Sequence, residues 1–179
     1  MRNILLILLL CTCAVAGAQK QTAPFLLEIG QGQKLAWEGE LAAGTPLSTL
    51  DWAWSAQNAC FVEPRKEFYT GNNVFYRTEI PKYSTMVIRL TPKDKNDNIS
   101  LYAYSGSGES LPPELYGCVS CEADFQMDRH VIGRKRPGYV RQVELRAVNR
   151  PYPITIGVVG ANGLSTGAYT LEISVVRNR

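Results

Sequence analysis

The chain contains one histidine, His130, in 179 residues. A Ser-His-acid triad would have to use His130, and no G-x-S-x-G nucleophile elbow surrounds Ser105 or Ser107. The glycines in residues 30–32 and 157–163 lack the third glycine and the strand-to-helix context of a dinucleotide loop. We therefore expect no catalytic residues, no cofactor and no enzymatic activity. An unrecognised hydrolase that uses His130 is the alternative.

A large charge excess is also missing. The formal net charge is +3, and loss of Arg2 with the N-terminal segment leaves 18 of the 19 basic residues against 16 acidic ones, or +2. A dedicated nucleic-acid binder would carry a far more basic face, so no nucleic acid is expected as a partner. Beyond the N-terminus, no segment approaches the roughly 20 apolar residues of a membrane-spanning helix, so no membrane span is expected after the first segment is removed.

The first 18 residues have the pattern of a secretory signal. Basic Arg2 precedes the apolar run of residues 4–10, and residues 16–18 form an A-x-A cleavage site. We expect export and cleavage after this site, which places the mature protein in the periplasm or outside the cell. An uncleaved anchor is one alternative. A lipid on Cys11 or Cys13 is another, although the residues before them are not the small ones of a lipoprotein signal.

Cleavage leaves three of the five cysteines, Cys60, Cys118 and Cys121. Thiols pair in an oxidising compartment, and three cysteines leave one outside the pair. A bridge from Cys60 to Cys118 or Cys121 closes a loop of about sixty residues, which stabilises the fold by about 4 kcal/mol in the chain-entropy model. We predict such a bridge rather than a local one between Cys118 and Cys121. The segment 118–130 is then a stapled loop.

Zinc is a weaker interpretation of the same residues. Cys60, Cys118, Cys121 and His130 would supply three thiolates and an imidazole, which is a tetrahedral zinc set. One C-x-x-C is only half of the usual paired signature, and His130 has no spaced partner. We therefore expect no metal at these positions.

Calcium is suggested by a second short pattern. Asp94, Asn96 and Asn98 match the first half of an EF-hand loop, but Ile99 stands where that loop requires glycine. Asn and Asp are common turn formers. The pattern therefore predicts a polar hairpin tip.

Period-two alternation, closed by turn residues, recurs from residue 74 to the C-terminus and is typical of antiparallel sheets. The predicted strands are residues 74–80, 85–90, 99–104, 141–147, 154–159 and 168–175, with residues 25–29 and 34–39 as a further pair. We predict an all-β fold, an antiparallel, jelly-roll-like β-sandwich with little helix. Its main part is residues 67–179, and the strands of residues 19–66 pack on it or lead into it.

Three motifs between Asn73 and Val176 resemble the bacterial pre-peptidase C-terminal domain. VFYRTEIPKYSTMVIRL is similar to its opening strand pair, NISLYAYSG to one of its inner strands, and TIGVVGANGLSTGAYTLEISV to its closing hairpin. In that family the domain usually accompanies an exported protease or other hydrolase, and some members bind calcium or an extracellular polymer. The sequence shows no motif of such a catalytic domain, so we expect a stand-alone binding or interaction module with a β-sandwich fold.

Two aromatic pairs are candidates for contact with a ligand. Tyr102 and Tyr104 lie two residues apart in a predicted strand, and Trp52 and Trp54 have the same spacing, so each pair shares a face. Exposed in a groove, such rings would stack on sugars and indicate a carbohydrate or polymer-binding module. Buried, they would serve core or cross-strand packing and favour a protein-interaction or envelope-accessory module.

Arg134, Lys135 and Arg136 belong to the densest basic run. They could hold an anionic glycan or a phosphate-bearing envelope surface by electrostatic attraction, or they could form a solvated loop tip that protects strand edges. The sequence as a whole predicts an exported, non-catalytic binding module for carbohydrate or an envelope polymer. A module that binds another exported protein is the alternative.

Overall fold

Strands dominate the computed structural model of the chain, which describes residues 20–54, 60–61, 63–106, 110–115, 117–126 and 137–178. They are β1 Phe25–Leu26, β2 Lys34–Glu40, β3 Thr45–Pro46, β4 Asn72–Ile80, β5 Ser84–Pro92, β6 Ile99–Gly106, β7 Cys118–Asp124, β8 Arg141–Ala147, β9 Tyr152–Gly160 and β10 Ala168–Arg177. Short 3-10 helices span Leu41–Ala43, Asp51–Trp54 and Glu63–Tyr69. The predicted all-β class with little helix is confirmed. The predicted signal, residues 1–18, lies outside the described residues.

The strands form two sheets. One has six strands in the order β1-β4-β9-β6-β7, with β3 also paired to β4, and the other has the order β2-β10-β5-β8. Every pair is antiparallel except β1 with β4. From β4 onward the chain passes repeatedly between the sheets, as a jelly-roll-like sandwich requires. Within the described residues, no helix is long and apolar enough to cross a membrane.

The core between the sheets is formed by the apolar residues that alternate with polar ones along the strands. Met86, Ile88 and Leu90 of β5 point inward and are fully buried, while the residues between them lie on the outer face. Burial of each such side chain contributes about 1.5–3 kcal/mol. Tyr76 of β4 and Tyr169 of β10 meet inside, with their hydroxyl oxygens 2.8 Å apart. Their hydrogen bond satisfies both buried hydroxyl groups and joins the two sheets.

A second buried cluster, called here the outer cluster, covers the outer face of the six-stranded sheet. Its buried members are Trp52, Ala53, Phe61, Phe68, Tyr69, Phe75, Tyr102, Tyr104, Leu115, Val159 and Ala161. It forms because the segment with the helices Asp51–Trp54 and Glu63–Tyr69 packs across this face. The six-stranded sheet is therefore covered on both faces in this region, which explains why β9 is buried at successive positions from Ile154 to Gly160.

A disulfide between Cys60 and Cys121 ties this covering segment to β7. It is one of the two pairings that the sequence predicted, and Cys118 remains a thiol outside the bond. Burial raises the pKa of the Cys118 thiol. The prediction of a stapled loop is wrong for the first part of the segment, because Cys118–Asp124 is a strand paired with β6. The register shifts near Gly106, and such a β-bulge interrupts the alternation that reveals a strand.

Candidate functional site

The aromatic residues predicted to contact a ligand are largely buried. Tyr102 and Tyr104 are 1% and 2% exposed, and Trp52 is 9% exposed. Trp54 is partly buried against the same outer cluster. The prediction that these rings form an exposed sugar-stacking platform is therefore wrong. The physical reason is that the covering segment shields these rings from water, and burial of a large aromatic ring is favourable.

Tyr102 shows how completely these rings are used in packing. Its ring lies over Gly157 of the neighbouring strand, where an added Cβ would come within 2.0 Å of the Tyr102 Cζ atom. Its hydroxyl donates a 3.0 Å hydrogen bond to Oδ1 of Asn73. Burial also raises the pKa of Tyr104 to about 12. Both tyrosines therefore have structural roles in the six-stranded sheet.

The outer face of the four-stranded sheet carries no aromatic side chain at the described positions. The outward positions of the four-stranded sheet are Lys34, Ala36, Glu38, Thr85, Val87, Arg89, Thr91, Gln142, Glu144, Arg146, Thr170, Glu172, Ser174 and Val176. These short and charged side chains offer no ring for a sugar to stack on. Within the described residues, neither sheet face presents the expected aromatic platform.

Two residues of the alternative zinc set are not available to a metal ion. Cys60 and Cys121 are oxidised to a disulfide, so they cannot supply thiolates, and the zinc set is contradicted. The carboxylate of Asp94 accepts hydrogen bonds from the backbone and side-chain N–H groups of Asn96 at 2.9 and 3.0 Å, as in a polar turn. In the described ranges, no group of three or more His, Cys, Asp or Glu residues is placed to hold a metal ion.

Several predicted residues fall outside the described part of the chain. They are His130, Arg134, Lys135 and Arg136, all within residues 127–136. The catalytic alternative and the basic-run interpretation both depend on them. Those two interpretations therefore stay predictions.

The structure reveals a different candidate site, where three chain segments meet at one end of the sandwich. Asn178 connects them: its N–H donates to the Tyr83 carbonyl oxygen at 2.8 Å and its Nδ2 donates to the Ala147 carbonyl oxygen at 2.9 Å. Its Oδ1 accepts from the Thr85 hydroxyl at 2.6 Å. The Tyr83 N–H also donates to the Val148 carbonyl oxygen at 2.9 Å. The β4–β5 turn, the β8–β9 turn and the chain end are thus held together.

This region is called the arginine–tyrosine end here, and its residues are Tyr83, Arg146, Val148, Arg150, Tyr152, Val176 and Arg177. Three of them are large apolar side chains left in water: Tyr83 is 48% exposed, Val148 65% and Val176 51%. Single exposed hydrophobic residues are normal on protein surfaces, whereas a group of them at one place is a candidate interaction site.

Tyr83 also has an unusual backbone. Its φ angle is 54°, in the left-handed region that glycine adopts readily and other residues avoid. Holding a bulky side chain there costs about 1–2 kcal/mol. Backbone strain of this kind persists only where the surrounding structure enforces it, and it is often found at functional sites.

Two adjoining depressions shape the surface of the arginine–tyrosine end. The first, of about 360 Å³, is lined by Tyr83, Arg146, Val148, Arg177 and Asn178. The second, of about 410 Å³, is lined by Ser105, Ser120, Arg146, Arg150, Pro151, Tyr152 and Pro153. Arg146 contributes to both, so they form one continuous surface. Their volumes lie in the range of ligand-sized pockets.

The electrostatics of this end are one-sided. Arg146, Arg150 and Arg177 all line the depressions, and none of the described residues that line them is acidic. In the described part of the chain, none of these three guanidinium groups forms an ion pair. Like charges gathered on one surface raise its positive potential and attract an anionic partner.

This site was not predicted from the sequence because its residues are far apart along the chain. The sequence pattern places Arg146 on the solvent-exposed face of a strand, Arg150 in a turn and Arg177 near the end of the chain. These residues come together because β5 pairs with both β8 and β10, which brings the ends of these strands to one place. Sequence patterns of this kind do not specify that pairing.

No protein-family model matches the chain, and no curated protein matches it. Among solved structures, the chain is similar to PliG of Aeromonas hydrophila, a periplasmic lysozyme inhibitor of g-type lysozyme, at 12% identity over 86% of this chain and 97% of that chain, with a TM-score of 0.42. It is similar to the pre-peptidase C-terminal domain of collagenase from Bacillus anthracis, at 11% identity over 87% and 99%, with a TM-score of 0.40.

A third similar structure is CorA, a surface-associated copper-binding protein of Methylomicrobium album BG8, at 11% identity over 87% of this chain and 98% of that chain, with a TM-score of 0.42. Similarity at this level assigns neither a ligand nor a partner. The two-sheet sandwich that the resemblance to the pre-peptidase C-terminal domain predicted is the fold observed here.

Proposed function

We propose that this chain is an exported, non-catalytic module that binds another exported protein through its arginine–tyrosine end. The observation that carries this proposal is the grouping of exposed Tyr83 and Val148 with three arginines around two adjoining depressions. Tyrosine and arginine are enriched among the residues that contribute most to protein–protein binding. Apolar side chains supply burial, and the arginines supply orientation and attraction.

The same structure weighs against a carbohydrate or polymer ligand bound by stacking. That interpretation needed an exposed pair among Tyr102, Tyr104, Trp52 and Trp54, and these rings are buried or partly buried. The burial of these rings was the feature expected of a protein-interaction module. No observation on the described residues favours the hydrolase alternative, which depends on His130.

Export is supported by two independent features of the chain. The first 18 residues have the pattern of a secretory signal. The disulfide between Cys60 and Cys121 is of a kind that forms and persists in oxidising compartments. The partner is therefore a protein of the periplasm or the extracellular space.

Site-specific photo-cross-linking tests this proposal. A benzophenone amino acid replaces Val148 in one variant and Glu172, on the outer face of the four-stranded sheet, in a control. In cells that export the protein, we expect a discrete protein adduct from position 148 and none from position 172. Identical adducts from both positions, or an adduct from position 172 alone, would contradict the proposed surface.

Reconstitution with the purified partner completes the test. Arg146→Glu should weaken binding by about tenfold or more, as expected for an interface residue of this type. Lys34→Glu makes the same change of charge on the four-stranded sheet and should leave the affinity unchanged. Equal losses in the two variants would show that net charge, and not this surface, governs binding.

A further inference from the structure

The second depression of the arginine–tyrosine end has the donors of an anion site. Its polar lining residues are Ser105, Ser120, Arg146, Arg150 and Tyr152. Arginine has only hydrogen-bond donors, and a hydroxyl can donate one hydrogen bond. Among the described residues that line the depression, two are arginines and none is acidic.

Both sheets contribute to this depression. Ser105 of β6 and Ser120 of β7 are directly opposite each other in the six-stranded sheet. Arg146 lies at the end of β8 in the four-stranded sheet. Residues of both sheets therefore line this one depression.

The backbone around the depression is held in place. The Tyr152 hydroxyl donates a 3.0 Å hydrogen bond to the carbonyl oxygen of Arg146, which links β9 of one sheet to β8 of the other. Pro151 and Pro153 flank Tyr152, and each proline fixes its own φ angle. A site held in advance loses less conformational entropy when a ligand binds.

We infer that this depression binds a carboxylate of an acidic segment in the protein partner. This inference rests on the proposed function and names the chemistry of the partner. The guanidinium groups of Arg146 and Arg150 match a carboxylate in a planar, two-bonded arrangement. Ser105 and Ser120 supply further donors beside it.

The neighbouring depression favours a protein segment over a phosphate-bearing polymer. It shares Arg146 with the carboxylate site and exposes the apolar groups of Tyr83 and Val148. A peptide places apolar and acidic side chains next to each other, so it fills both depressions. A polyphosphate chain has no apolar group for the first one.

A peptide titration followed by NMR tests this inference on the purified, disulfide-bonded protein. The probe is an acetylated and amidated peptide of sequence IDEIDE, and the matched control is INQINQ, which replaces every carboxylate by an amide. We expect concentration-dependent shifts at Arg146, Arg150 and Tyr152 with the acidic peptide. The amide peptide should bind about tenfold more weakly or worse, because charge-assisted hydrogen bonds are lost.

Variants locate the contact. Arg150→Glu should abolish the shifts, and Arg150→Lys should restore only part of the affinity, because lysine cannot form the planar pair of bonds. Lys34→Glu, with the same change of charge elsewhere, should bind like the wild type. Spectra of each variant without peptide show whether the fold is kept. Unchanged binding in a folded Arg150→Glu variant would overturn the inference.

Polyphosphate and inorganic phosphate are included to identify the anion. If polyphosphate shifts the same resonances at lower concentration than the acidic peptide, the site is a phosphate site and the inference is wrong. The two proposals fail separately. A partner cross-linked from position 148 without any peptide response leaves the proposed function standing and removes the carboxylate site. Peptide binding without a cross-linked protein would remove the proposed partner and leave only a carboxylate-binding depression on this chain.

Discussion

The backbone N–H of Asn178 donates a 2.8 Å hydrogen bond to the carbonyl oxygen of Tyr83. Asn178 directly follows β10, and Tyr83 lies in the turn between β4 and β5, so the last strand holds the turn that presents this ring. The same turn keeps Tyr83 at a φ angle of 54° with 48% of the residue exposed. The fold thus enforces a costly conformation on a side chain that contributes little to the core.

Tyr83→Gly separates stability from binding. Glycine adopts the left-handed conformation without strain but adds entropy to the unfolded chain, so the free energy of unfolding should change by less than about 1 kcal/mol. Loss of the ring should weaken binding of the purified partner about tenfold. Urea denaturation and a binding titration measure the two effects. A variant that binds normally would remove Tyr83 from the proposed interface.

The disulfide should account for much of the stability. Its two cysteines are 61 residues apart in sequence, and in the chain-entropy model loss of such a bridge costs about 4 kcal/mol. We therefore expect Cys60→Ser with Cys121→Ser to lower the free energy of unfolding by about this amount in urea denaturation. Cys118→Ser is the matched control and should cost far less. Equal losses in both variants would mean that the bond contributes nothing beyond packing.

Gly157→Ala tests the burial of Tyr102. The new Cβ would lie 2.0 Å from Tyr102 Cζ, so the ring must move within a packed cluster. Overpacking of this kind costs about 1–3 kcal/mol of unfolding free energy, which thermal or urea denaturation measures. Gly138→Ala is the control, since no atom of the described residues lies within 4 Å of its added Cβ. A neutral Gly157→Ala would indicate a mobile ring and reopen the sugar-stacking hypothesis.

The buried tyrosines predict alkaline instability. Burial raises the pKa of Tyr76 and of Tyr104 from 10.0 to about 12. The folded state therefore holds the phenol protons more tightly than the unfolded state does. The resulting stabilisation is fully present below pH 10 and is lost as the pH rises from 10 to about 12.

Tyrosinate absorbance and circular dichroism, followed together, measure this effect. Part of the tyrosinate signal should appear only as the protein unfolds, and Tyr104→Phe should reduce that part. If all tyrosines ionise near pH 10 while the fold persists, the buried positions are wrongly assigned.

The strand bounds predicted best from the sequence belong to strands with one buried face and one solvent-exposed face. β8 was predicted as residues 141–147 and is observed as Arg141–Ala147, because charged and apolar residues alternate there without interruption. β7 was missed because a register shift near Gly106 and two cysteines obscure its alternation. Trp52 and Trp54 alternate like a strand but lie in a 3-10 helix, since the covering segment must bend across the sheet.

The all-β class, the positions of most strands and Cys60 as one half of the disulfide follow from the amino-acid sequence. These features depend on the two-residue pleat of a strand and on the number of cysteines, both of which are local or countable. Three features required the folded structure: Cys121 is the other half of the disulfide, both faces of β6 are covered, and one surface carries Tyr83, Arg146, Arg150 and Arg177. These features depend on strand register and on which turns meet, and alternation along one strand carries no information about either.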